Sequence, residues 1–370
     1  MSVEIIPVNK KNFNRFINFP YKLYKNDKFW VGDLKMDAKH LFAKDPFWNH
    51  ATKKLFLAYR DKKVVGRICA FINHTHNEYW REHTGMFGFF DTIDDKKVSD
   101  ALLNAAKTWL KEKGMDKIRG PFNPSTNHTC GMLVAGFDEH PFIMMPYNYA
   151  YYNELMESAG FTKAKDLIAF ERTGEDQFSP RFAKIVDRAA AKGGVKIRPI
   201  DIKNFNAEVM IVRDIYNKSW AQNWGFLPIS EAEIMETARQ LKPIVNTEIT
   251  AIAEVDGVPA GFYISIPNMN QVLKVLKGSI LNPLRLVRAL LAWRKIKHCR
   301  LIMLGVLPEY RRRGLDLILI KHIVEHGQEV GYNMAELSWM LEDNKDITTV
   351  VKESGCRLSN RRYRVYESKL

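Results

Sequence analysis

Apolar positions along the 370-residue chain fall into two series built to the same plan. Residues 55–71 (LFLAYRDKKVVGRICAF) are an apolar run, a charged turn and a second apolar run. Residues 249–266 (ITAIAEVDGVPAGFYISI) repeat the arrangement. Each reads as a β-hairpin, bent at Asp61-Lys62-Lys63 or at Asp256-Gly257. Before the hairpins, VEIIPV (3–8) echoes VKIRPI (195–200). After them, apolar residues at helical spacing mark 97–113 and 315–330. Near the end of each series stand ESAGF (157–161) and ESGC (353–356), followed by short strands at 166–172 and 362–367. One unit used twice accounts for all of this: strand, helices, hairpin, strand, helix, strand, helix, strand. The pattern predicts an α+β chain with units at 1–172 and 195–370. In the connector, 173–194, Phe182, Ile185, Val186 and Ala189 share one face, so it reads as a docked helix closed by Gly193-Gly194.

Residues 301–327 (LIMLGVLPEYRRRGLDLILIKHIVEHG) carry the clearest chemistry. The apolar 301–306 read as a buried strand, 308–314 as a tight basic loop, and Leu317, Ile320 and Val324 as one face of the helix that follows. The first turn of a helix offers unpaired N–H groups and the positive end of the dipole. Arg311, Arg312 and Arg313 beside Gly314 add charge suited to phosphate oxygens. This combination resembles the acyl-CoA loop of the GNAT superfamily of N-acyltransferases, an Arg/Gln-x-x-Gly-x-Gly/Ala turn after the fourth strand. Arg311 and Gly314 match; Asp316 stands at the last position, where it suits a helix start but opposes a phosphate.

The resemblance covers nearly the whole chain. It implies two tandem GNAT folds, each a twisted mixed β-sheet flanked by helices. It implies acetyl-CoA or another acyl-CoA as co-substrate, held by Gly305, Val306, Leu307, Arg311, Arg312, Arg313, Gly314, Leu315, Asp316 and Asn344. The equivalent stretch of the first half, DTIDDKK (91–97), is acidic, so that unit is not expected to bind the cofactor. In SWAQNWGFLP (219–228), on the acceptor side of the fold, Trp220, Trp224 and Phe226 are candidates to hold the amine, and Trp339 joins them.

Residues 334–344 (MAELSWMLEDN) read as the fifth strand, which diverges from the fourth in this family. Glu336 and Ser338 share one face of it. A carboxylate inside an apolar strand must be satisfied by something. Glu336 is the first candidate for general base and Glu342 the second, with Ser338 beside them, while a structural ion pair would explain Glu336 equally well. Where many members carry a tyrosine that protonates the leaving thiolate, this chain has Val351, which leaves the general acid unassigned.

Composition narrows the partners. The net charge is +14 and the pI about 9.4, which favours anionic ligands or surfaces. The four cysteines are far apart and form no C-x-x-C, so neither a zinc site nor a disulfide framework is expected. His74, His76 and Glu78 alternate and would share a face on a strand, but no further ligand accompanies them, and no metal is expected. The N-terminus does not read as a signal peptide and no run has membrane-span length, which points to a cytoplasmic protein. Residues 268–297 are long for a connection. Their basic amphipathic part, 284–297, is expected to pack near the site, with peripheral contact to an anionic membrane as the other reading. The acceptor is expected to be a small-molecule or lipid-like amine. Two alternatives stay open: a FemX-like aminoacyl transferase using aminoacyl-tRNA, the one case in which nucleic acid would be a partner, and a non-catalytic acyl-CoA-binding protein.

Overall fold

The computed structural model describes residues 2–311 and 313–370. Arg312, expected in the anion cradle, lies outside the described residues. Internal packing divides the chain into two units. The first comprises the chain up to Leu167 together with Val272–Leu291 and Arg361–Leu370; the second comprises Ile168–Gln271 and Ala292–Asn360.

The first unit contains β1 (Glu4–Pro7), α1 (Phe13–Leu23), α2 (Lys35–Lys44), β2 (Ala51–Arg60), β3 (Lys63–Asn73), α3 (His74–Trp80), β4 (Thr84–Thr92), α4 (Lys96–Glu112), β5 (Lys117–Gly120), the short β6 (Phe122–Asn123) and β7 (Thr129–Cys130), β8 (Met132–Ala135), α5 (Tyr151–Ser158) and the start of β9 (Thr162–Thr173). Its sheet runs β1-β2-β3-β4-β5. Neighbours are antiparallel except β4 and β5, which are parallel. The β2–β3 bend has Asp61 and Lys62 at φ 49° and 62°, the left-handed pair that a tight hairpin needs. Helix α4 starts where the Asp95 carboxylate accepts from the N–H groups of Lys97 and Val98, at 2.9 and 3.3 Å. Val98, Leu102, Ala106 and Leu110 recur every four residues and are buried against the sheet. Each buried Leu contributes about 1.5–3 kcal/mol.

The parallel pairing of β4 with β5 covers only Thr84–Met86 and Lys117–Arg119. Beyond it the chain turns back into the opening. The side-chain oxygen of Asn123 accepts from the Phe89 N–H at 2.6 Å, and a Cβ on Gly88 would lie 1.6 Å from the Phe122 carbonyl oxygen. The first unit thus fills the gap between its fourth and fifth strands with its own backbone. Its helix α4 likewise has its N-terminus taken by Asp95.

The second unit contains α6 (Pro180–Ala190), β10 (Val195–Pro199), α7 (Phe205–Ser219), α8 (Glu231–Leu241), β11 (Thr250–Val255) and β12 (Val258–Pro267). Next come α9 (Asn270–Leu276) and α10 (Pro283–Trp293), which fall mostly in the first unit. The second unit resumes with β13 (His298–Val306), α11 (Pro308–Arg311), α12 (Leu315–Glu329), β14 (Met334–Leu341), α13 (Lys345–Glu353) and the start of β15 (Arg357–Lys369). The sheet order repeats, β10-β11-β12-β13-β14, again with one parallel pair, β13 and β14. Leu315, Leu319 and Ile323 of α12 are buried against Ala253, Ala260, Tyr263 and Leu301. The connector helix α6 packs Phe182 and Val186 on Ile320.

Two expectations are corrected. The histidines of HTHNE are not on a strand. The Asn73 side chain accepts from the His76 N–H at 3.1 Å and caps α3, so His74 and His76 point apart, and His76 is buried 3.5 Å from Glu82. The closing strands are longer than 166–172 and 362–367, and they are exchanged. Strand β5 pairs with β15, Tyr366 opposite Gly120, and β14 neighbours β9. Packing boundaries therefore differ from those of the repeat at 361–370 and at 272–291. The segment from Val272 to Leu291 packs with the first unit. Gly278 lies against Tyr21 and accepts from the Lys35 N–H at 3.0 Å, while Lys274 donates to the Lys28 carbonyl at 2.8 Å.

Candidate active site

The candidate site lies where β13 and β14 part. Their parallel pairing ends at Leu301 opposite Leu337, although β13 continues to Val306 and β14 to Leu341. On its other edge β13 stays paired with β12 through Val306. The Leu307 N–H donates to Ala260 on that edge at 2.9 Å. Backbone groups alternate between edges, so the N–H groups of Leu304 and Val306 face the unpaired side. Among the described residues no strand pairs with them there, and an oxygen developing negative charge is what such donors stabilise.

Behind the wedge comes the basic loop. Gly314 is the N-cap of α12 at φ 76°, and a Cβ there would be 2.9 Å from the Ala189 Cβ. The position demands glycine for both reasons. Arg311 is exposed, and its guanidinium donates to the carbonyls of Val306, at 3.3 Å, and of Ser219. This ties the end of α7 to the end of β13. Next to Ser219, Trp220 meets the Tyr216 ring edge-on, with ring centres 4.6 Å apart. Arg313 is exposed and sits over the Tyr310 ring at 5.4 Å. Gly305 and Leu307 are buried, as is Leu315 in the first turn of α12.

Asp316 occupies that first turn too. Burial pushes its carboxyl above the usual range, while hydrogen bonds from the N–H groups of Leu317 and of Asp316 itself, and the charge of Arg311, draw it back down. Its carboxylate thus uses amides that a phosphate would take. Asp316→Asn is expected to tighten coenzyme A binding about five-fold, the effect of removing one like charge from a helix N-terminus. Wild-type affinity should rise as pH falls through the raised pKa, because the neutral carboxyl no longer repels the ligand. In the variant this pH dependence should vanish. Calorimetric titration at two pH values checks both, and an unchanged affinity would show that Asp316 faces away from the diphosphate.

The other expected residues divide. Glu336 is fully buried and Ser338 nearly so. Ser338 Oγ donates to Glu336 Oε1 at 2.5 Å and accepts from Arg300 Nε at 2.8 Å; Arg300 also donates to the Ser338 carbonyl at 3.0 Å. Arg300 Nε lies 3.9 Å from Glu336 Oε1. The three form a chain of donors and acceptors on one face of the sheet, starting where the strands part. Arg300 was missed in the sequence, although a lone arginine in the apolar run HCRLIMLG is the signal that marks it. Glu342 is exposed beyond the end of β14. Asn344 caps α13 through the Ile347 N–H at 3.4 Å. Trp339 and Trp224 are half-buried, and Phe226 is buried on Tyr216, a packing residue more than a pocket wall. Val351, expected from the resemblance to stand where the family carries a tyrosine, is buried in the core.

The model of the acetyltransferase (GNAT) family matches residues 210–347. The bacterial ceramide synthase of Caulobacter vibrioides is 34% identical over 382 residues, covering 100% of this chain and 98% of that protein. The chain belongs to the GNAT family. It is an acyltransferase of that family by this relationship. Protein YghO of Escherichia coli is 35% identical over 373 residues, 98% of this chain and 94% of its own length. Among solved structures, a tandem GNAT protein from the clavulanic acid biosynthesis pathway superposes with a TM-score of 0.55 over 100% of this chain and 98% of its own. Its identity is 12%, so it speaks for the tandem fold alone. No helix among the described residues is long and apolar enough to cross a membrane.

Proposed function

We propose that the second unit transfers an acyl group from an acyl-CoA thioester to the amine of a long-chain amino alcohol, giving a ceramide-type amide. The observation that carries the transfer chemistry is the wedge between β13 and β14, with unpaired strand amides on one wall and a glycine-capped helix start behind it. The acceptor class rests on the 34% identical relative named as a bacterial ceramide synthase, matched end to end.

In this reading the amides at the start of α12, with Arg313, hold the diphosphate, and the thioester enters the wedge. The Val306 N–H polarises the carbonyl oxygen. The amine nitrogen attacks the carbonyl carbon, the new C–N bond forms, and the C–S bond breaks with loss of thiolate. The amine proton passes to the Ser338 hydroxyl, whose own proton moves to Glu336. Arg300 holds the Ser338 hydroxyl and carbonyl in place beside the carboxylate. Trp220 and Trp339 supply apolar walls for the acceptor.

The purified chain, given acyl-CoAs of graded length and a sphingoid base, is expected to release free thiol only when both are present. Mass spectrometry should find the amide, with long-chain amino alcohols outpacing short polar amines. Turnover of short amines alone would overturn the acceptor class. Absence of acyl-CoA binding would overturn the donor.

A further inference from the structure

Helix α10 is turned the wrong way round for a soluble protein. Ala289 faces inward at 2% exposure, with Arg285 and Ala292 half-buried on the same side. Leu284, Val287, Leu290 and Leu291 stand on the opposite side, 73%, 57%, 54% and 53% exposed. At 100° per residue these four span about 120° of the helix, an apolar stripe offered entirely to solvent. Ile280 and Leu281 lead into it and Trp293 closes it, all exposed. A stripe of this kind marks a docking surface.

The surrounding charge selects what docks. No acidic residue occurs between Asp256 and Glu309. Within residues 268–297 the chain instead carries Lys274, Lys277, Arg285, Arg288, Arg294, Lys295 and Lys297. Arg288, beside the stripe, and Arg294, Lys295 and Lys297, just past the helix, are exposed. A second copy of the same face would set arginine against arginine across a self-complementary contact. An acidic lipid surface meets both features: apolar side chains enter the acyl boundary and the cations stay among the headgroups.

We propose that α10 lies in the plane of an anionic bilayer and docks the protein there as a peripheral protein. The inference stands on the exposed stripe and its charge, and it goes beyond the proposed reaction. Its test uses no catalysis. The full-length chain is mixed with vesicles of phosphatidylglycerol or of phosphatidylcholine, and sedimented at low and at high salt. Retention is expected on the anionic vesicles, weakened by salt and by the neutral lipid. The double variant Leu284→Glu with Leu291→Glu should bind about ten-fold or more weakly, with an unchanged thermal midpoint, since neither side chain is packed. The proposal is overturned if the wild type stays in the supernatant. It is equally overturned if the double variant is retained as well as the wild type, or if sedimentation without lipid reveals a dimer that the double variant breaks.

Discussion

Replacing Glu336 by Gln is expected to lower kcat by about 10²–10⁴-fold, the usual worth of a positioned general base, with KM for the acyl-CoA little changed. The side chain reaches no solvent, and the Ser338 hydroxyl donates to its Oε1 at 2.5 Å, so a proton can arrive through that group. Gln keeps the shape and an acceptor oxygen but cannot take the proton. A merely structural role gives a different signature. Removing one partner of a buried ion pair destabilises by about 3–5 kcal/mol, so the thermal midpoint should fall in either case. Only a base role lowers turnover of the folded enzyme at temperatures well below that midpoint. Ser338→Ala separates the two further. It leaves Glu336 facing Arg300 and removes the relay, and should cost turnover with a smaller loss of stability. Full turnover in both variants, measured on folded protein, would assign the cluster to architecture alone.

The second large effect belongs to the first unit. Gly88→Ala is expected to abolish accumulation of folded protein, or to lower its stability by about 4 kcal/mol or more, in the range reserved for severe lesions. The added methyl would sit 1.6 Å from the Phe122 carbonyl oxygen and 2.8 Å from the Asn123 side-chain oxygen. Neither can retreat easily, because Asn123 is hydrogen-bonded to the Phe89 N–H and Phe122 pairs with Cys130. Denaturant unfolding of purified protein, or soluble yield if none can be purified, reads the result. A variant as stable as the wild type would mean that the segment after β5 can leave the gap, and that the first unit's wedge opens as the second one's does.

The sequence made some of this legible because the signals were local. Hairpin bends at Asp61 and Asp256, the cap at Asp95 and the glycine at 314 each declare themselves within a few residues. The repeated plan follows from laying such signals side by side. Strand exchange was not legible, since an alternating segment such as 362–367 carries no mark of which strand it will pair with. The burial of Glu336 with Arg300 was half legible: each is conspicuous as a charge among apolar residues, but their adjacency depends on the β13–β14 register. Helix α3 was misread because alternation of His74 and His76 imitates a strand over three residues, too few to outweigh the Asn73 cap. For α10 the amphipathic pattern was visible and its direction was not, as periodicity says which residues share a face and nothing about where that face looks.

The exchange of closing strands also sets an order of events during synthesis. Tyr366 to Lys369 complete the sheet beside β5, yet they leave the ribosome about 250 residues after β5 does. A nascent first unit must therefore wait with an open edge until β15 has been made, which is the interval in which unpaired strand edges recruit chaperones or stick to one another.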